Sequence, residues 1–480
     1  MEQRGRRHLP GNRVVHRRLD ATQVIQLAPE EHEREAPSVQ TNAKRFVAAY
    51  IAIVLLGAFL LTMPFSSEHG MSTRPVDAVF TAVSASAVTG LVVVDTQSHW
   101  SFTGELIVLV LIQLGGLGFM VGASLLLVSL GRGGSLRSAL LLRDGSPALS
   151  IQEAASLSKR ILRFTLACEA IGAVALAARF ARDQPLDVAI WYGIFHSVSM
   201  FCNAGFDLQG GFHSLVRYQD SPWINFTVMA LIQAGALSYM VLSDAASKRS
   251  WRRIKFDTKL VLLANAVVLA VSTILFMITE WRAALVDSPG WAKPMVALFQ
   301  SVSARTAGAS TIDFSQAHSS TVFLWIGVMM VGGAAGSTAG GIKLATAAII
   351  AIAVFSTLRG QNHSQAFGRR VTAELVFRAM AIISVFLFMH FVFTLLLAFA
   401  EDVMGHSDPS FLSMMFETMS AMATVGLSTG ITPHLSAAGK LVLCAAMFFG
   451  RLGPLTLAYA LIQRQQVTRY RYPEAPVRMG

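Results

Sequence analysis

Apolar stretches approaching the roughly 20 residues needed to cross about 30 Å of hydrocarbon recur from residues 46–65 to residues 441–462, and nothing constrains the fold of this chain more. Between successive basic clusters the same succession appears four times: a long apolar run, a polar loop, a short apolar segment ending in glycine, then a second long run. The short segments fall at 76–90, 188–205, 295–308 and 411–426. A helix of about 15 residues rising 1.5 Å per residue reaches only about 22 Å, so each is expected to enter the membrane and turn back. The expected fold is therefore an all-α membrane protein of four helix–pore loop–helix repeats, with eight spanning helices and four re-entrant pore helices around a pseudo-four-fold pore. The expected boundaries are 44–131, 157–247, 255–358 and 371–464, flanked by a disordered cytoplasmic arm at 1–43 and a cytoplasmic tail at 465–480.

Composition agrees with a bilayer as solvent. Of 480 residues, 53% are hydrophobic and only 14% charged, with a mean hydropathy of +0.53, against roughly 25% charge in soluble domains. The net charge of +11 does not gather into a nucleic-acid-binding face. Arg and Lys sit before the first run (Arg17, Arg18, Lys44, Arg45), in 132–163, 248–259 and 359–378, and after the last run (Arg464, Arg469, Arg471). The intervening loops hold a more acidic set, including Glu68, Asp95, Asp183, Asp220, Asp287, Asp313 and Asp408. The positive-inside rule then places both termini in the cytoplasm of a multi-pass protein of the cell (inner) membrane. Cys168, Cys202 and Cys444 all lie in apolar segments and form neither a disulfide framework nor metal-ligand spacing.

Each short segment carries a Ser five or six residues before its terminal Gly: Ser84 and Gly90, Ser199 and Gly205, Ser303 and Gly308, Ser420 and Gly426. Non-helical backbone inside a bilayer leaves N–H and C=O groups unpaired at several kcal/mol each unless it is buried in protein or lines a wet cavity. Four such loops meeting on one axis can present carbonyls in place of a cation's hydration shell, helped by the negative ends of four half-helix dipoles. Gly suits the position because it accepts positive φ and has no Cβ; ordinary helix-packing glycine is the alternative reading of any one of them. Asp95, Asp207 and Asp313 follow their glycines closely enough to concentrate cations at the outer mouth, or to be solvated loop charges. His196 and His390 read as packing or locally hydrogen-bonded residues.

Two further features are costly in a membrane. Five glycines lie within 332–341, and at roughly 1 kcal/mol each relative to Ala they disfavour a continuous helix by about 5 kcal/mol. A break there would leave a flexible loop beneath the pore; the alternative is a Gly-x-x-x-Gly packing face at Gly332, Gly336 and Gly340. Arg451 lies inside the last run at a cost of about 2.5–3.5 kcal/mol, so it should face a polar interior, as a barrier to ions or as a tether to a carbonyl. Pro454 follows it and can kink the helix.

Four strings carry a resemblance: Val-Thr-Gly-Leu-Val-Val-Val-Asp-Thr at 88–96, Asn-Ala-Gly-Phe-Asp at 203–207, Arg-Thr-Ala-Gly at 305–308 and Thr-Val-Gly-Leu-Ser at 424–428. The chain resembles the Ktr/Trk/HKT superfamily of potassium transporters over 44–464, and most closely the membrane subunit of its Ktr branch, since no extra helix pair precedes the first repeat. The resemblance implies K⁺ uptake through a selectivity filter formed by backbone carbonyls of Val88, Thr89, Gly90, Asn203, Ala204, Gly205, Thr306, Ala307, Gly308, Thr424, Val425 and Gly426. Members with Ser at the first filter position tend to favour Na⁺, and this chain has Gly90. It also implies an intramembrane gate of Gly332, Gly333, Gly336, Ser337, Thr338, Gly340, Gly341 and Lys343 with Arg451. The expected assembly is a homodimer on a cytosolic RCK-type ring of nucleotide-binding regulatory subunits. ATP or ADP is expected on that ring, with Na⁺ as a possible activator and no cofactor in this chain, which has neither a Walker-type loop nor a dinucleotide fingerprint. An alternating-access cation-coupled transporter is the competing reading; an enzyme would need a nucleophile or acid–base pair at membrane depth, and none is evident.

Overall fold

Helices account for nearly all of the structure, a computed structural model described over residues 38–131, 151–248, 250–286, 288–361, 363–404 and 409–463. Within these, side chains are described except at 38–46, 123–131, 151–154, 404 and 454–463. Two compact units are distinguished, Met1–Phe46 and Val47–Gly480. Residues 1–37 of the expected arm, residues 132–150 of the basic connection expected over 132–163, Asp287, Asp408, Arg464 and the expected tail at 465–480 lie outside the described residues. Helix α1 (Ser38–Thr62) begins six residues ahead of the expected start at Lys44, because polar residues such as Gln40 and Lys44 are themselves good helix formers.

The remaining helices are α2 (Pro75–Ala87), the single turn α3 (Thr96–His99), α4 (Phe102–Gly131), α5 (Ile151–Phe180), α6 (Leu186–Phe201), α7 (Pro222–Ala236), α8 (Tyr239–Ser247), α9 (Phe256–Glu280), α10 (Lys293–Ser303), α11 (Ser319–Met330), α12 (Leu344–Leu358), α13 (Ala373–Met404), α14 (Phe411–Ala423) and α15 (Ala437–Gln463). Among the described residues, α4, α5, α9 and α13 are the single helices long and apolar enough to cross a membrane, and α7 with α8, bent by 99°, makes a fifth if the pair is counted as one span. By length and composition the described residues thus supply four to five of the eight expected spans, and the chain between them is interrupted twice. The helix breaks at Leu237–Ser238, where Ser238 takes φ +64°, and again between Met330 and Leu344. Past Pro454 the backbone of α15 remains helical to Gln463.

The short helices α2, α6, α10 and α14 are the buried ones. Almost every residue of their C-terminal halves is enclosed, including Ser84, Ser86, His196, Ser199, Gln300, Ser303, Glu417 and Ser420. The long helices do the opposite and expose apolar side chains, as Leu263, Val267, Val271, Ile274 and Ile278 on α9 and Phe388, Phe391 and Leu395 on α13 illustrate. Soluble monomers rarely expose contiguous apolar surface of that extent, whereas lipid does not penalise it. Packing among the helices closes on itself: α6 lies against α4, α10 against α7, α14 against α11, and α2 against α15. Each buried short helix also contacts the long helix that precedes it in sequence in three instances, α5 with α6, α9 with α10 and α13 with α14.

Candidate functional site

The four segments that follow the buried short helices share one backbone conformation. Val88, Asn203, Thr306 and Thr424 take φ of +59°, +60°, +82° and +50°, and two residues later Gly90, Gly205, Gly308 and Gly426 take φ of +89°, +73°, +73° and +95°. Left-handed backbone is unfavourable for β-branched residues, so its occurrence at Val88, Thr306 and Thr424 requires that the surroundings hold it in place. The Ser of each segment supplies much of that hold. Ser84 Oγ donates to the Leu91 carbonyl at 2.7 Å and accepts from Gly90 N–H at 3.1 Å. Ser199 Oγ donates to Phe206 O at 2.6 Å, Ser303 Oγ donates to Ala309 O, and Ser420 Oγ accepts from Gly426 N–H at 3.0 Å. The carbonyls of Ser84, Ser199, Ser303 and Ser420 accept from Thr89, Ala204, Ala307 and Val425 N–H at 2.7–2.9 Å.

The four glycines form a closed ring. A Cβ on Gly90 would collide with the Ala204 carbonyl oxygen, one on Gly205 would meet Ala307 O at 2.6 Å, one on Gly308 would collide with Val425 O, and one on Gly426 with Thr89 O. The carbonyl oxygen before each glycine therefore lies against the glycine of the adjoining segment. The filter-candidate residues from Val88 through Gly426 are thus brought to one locus, all of them buried except the partly exposed Gly426. Buried hydroxyls of Thr89, Thr306 and Thr424 have no hydrogen-bond partner among the described residues. On one side of the ring a cavity of about 350 Å³ opens, lined by all four glycines together with Asp207, Asp313, His213 and His434. Asp95 instead accepts from Gln97 and Ser98 N–H and caps α3; Asp207 and Asp313 cap their own turns through Gln209 and Ser315 N–H at 3.0 and 2.9 Å.

On the other side lies the segment between α11 and α12. Gly340 is so close to Thr424 Oγ1 that a Cβ could not be accommodated, and a Cβ on Gly332 would sit 3.3 Å from Thr306 Cγ2. Thr338 Oγ1 accepts from Asn203 Nδ2 at 2.9 Å and donates to Phe201 O at 3.3 Å. The freed carbonyls at the end of α7 are used here: Ala236 O accepts from Ala334 N–H at 2.8 Å and Gly235 O from Thr338 N–H at 3.2 Å. Two bonds pinch the neck, Gly332 N–H to Ile342 O at 2.9 Å and Ile342 N–H to Met330 O at 3.0 Å. The backbone polar groups of a non-helical intramembrane segment thus find protein partners. Arg451, buried, donates through Nη1 to Thr338 O at 2.6 Å and through Nη2 to Gly115 O at 2.8 Å, with its guanidinium 4.2 Å from the Phe119 ring centre. Lys343 Nζ donates to Ala339 O at 2.6 Å. Gly333, Gly336, Ser337 and Gly341 belong to the same segment, Ser337 Oγ donating to Ala334 O at 2.6 Å.

Several residues that matter here are not evident from the chain alone. The side chain of the fully buried Arg305 has one hydrogen bond among the described residues, 3.5 Å to Asn265 O, with Nε and Nη2 unpaired among them; a charge in an apolar segment, the criterion that singles out Arg451, would have marked it. Glu417 gathers Ser428 Oγ, Thr429 N–H and Thr432 Oγ1 at 2.6–2.8 Å and so anchors the chain after Gly426. Gln300 does the same through Thr311 Oγ1 at 3.0 Å. His196 accepts from Leu208 N–H at 3.3 Å while its Nδ1 bonds Tyr192 O at 2.7 Å; His390 is buried without a ring partner among the described residues. Gly115, Gly235 and Gly450 let α4, α7 and α15 approach the carbonyls of Ser86, Phe201 and Met422, where a Cβ would collide.

With this geometry in view, residues 21–468 match the TrkH family, described as cation transport protein. Potassium/sodium uptake protein NtpJ of Enterococcus hirae is 36% identical over 439 residues, 90% of this chain and 96% of that one. Ktr system potassium uptake protein B of Vibrio alginolyticus is 36% identical over 441 residues, 90% and 93% respectively. The crystal structure of the potassium transporter TrkH from Vibrio parahaemolyticus has the same fold, with a TM-score of 0.67 at 21% identity over 91% of this chain and 87% of that one.

Proposed function

The chain belongs to the TrkH family of cation transport proteins, and from that premise we propose that it conducts K⁺ into the cell as the membrane subunit of a Ktr-type uptake system. The observation that carries the proposal is the closed ring in which the carbonyl oxygens of Thr89, Ala204, Ala307 and Val425 each lie against the glycine of an adjoining segment. In this reading α2, α6, α10 and α14 are the pore helices of four repeats, and their C-terminal dipole ends and the carbonyls of 88–90, 203–205, 306–308 and 424–426 replace the hydration shell of a dehydrated cation. Asp207 and Asp313 raise the local cation concentration at the mouth. The segment 331–343 is the gate: it occupies the space under the filter, and Arg451 both tethers Thr338 and opposes cation passage while the gate is in place. What supports a gate and not a fixed plug is that the polar bonds that hold this segment to α7, Asn203 and Arg451 are few, so that a modest free energy can exchange them.

In this reading both termini are cytoplasmic, which the positive-inside rule applied to the basic connections supports. A homodimer seated on a cytosolic ring of RCK-type subunits that bind ATP or ADP completes the system, in keeping with relatives whose names are those of system components, and the K⁺/Na⁺ name of the Enterococcus relative suits Na⁺ as an activating or accompanying ion. Expression in a strain lacking its own K⁺ uptake tests the reading. Growth and ⁸⁶Rb⁺ uptake at limiting K⁺ should be restored, most strongly with a regulatory partner and Na⁺ present; no restoration under any combination overturns it.

A further inference from the structure

Two basic connections that are far apart in sequence meet at one end of α9. From the α8–α9 connection come Arg252, Arg253 and Lys255, from the first turn of α9 comes Lys259, and from the hairpin between α12 and α13 comes Arg369. The hairpin pairs Gln365 with Arg370 and Ala366 with Arg369, and its turn residues Phe367 and Gly368 take φ of +49° and +70°. This geometry sets the Phe367 ring edge-on to Phe256 at 6.1 Å and fixes Arg369 beside the first turn of α9. The result is a cavity of about 280 Å³ with five cationic side chains and no acidic one among its lining residues. Asp244 is engaged elsewhere, pairing with Lys248 at 2.8 Å and accepting from Lys255 N–H at 2.9 Å, and Asp257 stands on the first turn of α9 without lining the cavity. Among the described residues, Arg252, Arg253, Lys255 and Arg369 form no ion pair.

Like charges so concentrated repel one another, and an anion of matching shape relieves that repulsion. The surroundings say which anion. Along α9 beyond Lys259, Leu263, Val267, Val271, Ile274 and Ile278 form an exposed apolar stripe at helical spacing, and the lining residue Phe367 and the chain neighbour of Arg252, Trp251, are exposed. A basic pocket at a helix end, accompanied by exposed aromatics and continued by an apolar stripe, offers a phosphate site and an acyl-chain surface in one line. We propose that this cavity binds the phosphate headgroup of an anionic membrane lipid whose chains lie along α9. The site clamps the connection after α8 to the connection after α12, and those two helices are the continuations of the two broken spans. The proposal rests on the membrane reading of the chain and not on which ion passes, so failure of the uptake test leaves it standing.

The full chain, purified in detergent, is offered equal amounts of phosphatidylglycerol and phosphatidylcholine, and retained lipid is read by native mass spectrometry. The wild type should retain phosphatidylglycerol, and joint Arg252→Gln, Arg253→Gln and Arg369→Gln substitution should lower that preference by about fivefold per charge removed. Arg369→Gln alone, in the exposed hairpin, gives a single step of the same sign if the triple variant does not fold. Arg179→Gln, outside the cavity, should leave the preference unchanged, as should millimolar inorganic phosphate. Unchanged preference in the variants, equal loss in Arg179→Gln, displacement by inorganic phosphate alone, or a change confined to oligomeric state or to capture of a regulatory subunit would each overturn the proposal.

Discussion

Val88, Thr306 and Thr424 hold left-handed backbone that β-branched residues avoid, at about 1–3 kcal/mol each, two positions before glycines that adopt it freely. The strain is distributed around the ring and balanced by the Ser hydrogen bonds and by Glu417, Gln300 and His196, which fasten the chain beyond the glycines. A side chain at Gly90 therefore has two consequences: φ +89° becomes unfavourable, and the new Cβ pushes against Ala204 O in the adjoining segment. Gly90→Ser should open the ring and lower the K⁺-to-Na⁺ flux ratio by about tenfold, equivalent to about 1.4 kcal/mol of lost discrimination. Ion ratios equal to wild type in a reconstituted flux assay would remove Gly90 from the filter. The Ser-to-Gly spacing and the need for glycine are legible in the chain because they follow from local covalent geometry. The αL conformation of Val88 and Thr306 is not, because it runs against local preference and is imposed by neighbours.

At the scale of elements, the interruption between α11 and α12 and the one between α7 and α8 have different origins. Five glycines make the first readable, since each lowers helix propensity by roughly 1 kcal/mol. The second occurs in Ala-Gly-Ala-Leu-Ser-Tyr, which carries no such density, and its explanation is tertiary: breaking the helix frees Gly235 O and Ala236 O to accept from Thr338 and Ala334 N–H. The two breaks are one construction. Deleting 332–341 should raise passive K⁺ leak in liposomes several-fold, and Arg451→Ala, which releases Thr338 O, should move conductance in the same direction by a smaller factor. A deletion variant that is folded yet closed would rule out the gate. The sequence also marks Arg451 by cost alone; its two partners, Thr338 O and Gly115 O, come from α11–α12 and α4, more than 100 residues away.

For the whole molecule, closure is the central fact. The contacts α4–α6, α7–α10, α11–α14 and α15–α2 join the last long helix to the first short one, so the ends of the chain's apolar part complete a circle. A ring of this kind buries the polar ends of its short helices at the centre and leaves apolar side chains outward, the reverse of a soluble core. If the basic connections face the cytoplasm, a reporter active only in the cytoplasm should function at the C-terminus and at residue 250, and fail when inserted at residue 183 beside the Arg179–Asp183 pair. Activity at residue 183 would invert the orientation.

The amino-acid sequence by itself determines that the chain is a helical membrane protein, where its short glycine-ended segments lie, and that residues 332–341 resist a helix, because hydrophobic length, glycine density and Ser–Gly spacing are local quantities. Tertiary structure alone decides that four such segments share one centre, that α7 breaks opposite residues 331–343, and that Glu417 and Gly450 matter. Those outcomes depend on which carbonyls and side chains distant parts of the chain bring within 3 Å of one another, and no local preference encodes that.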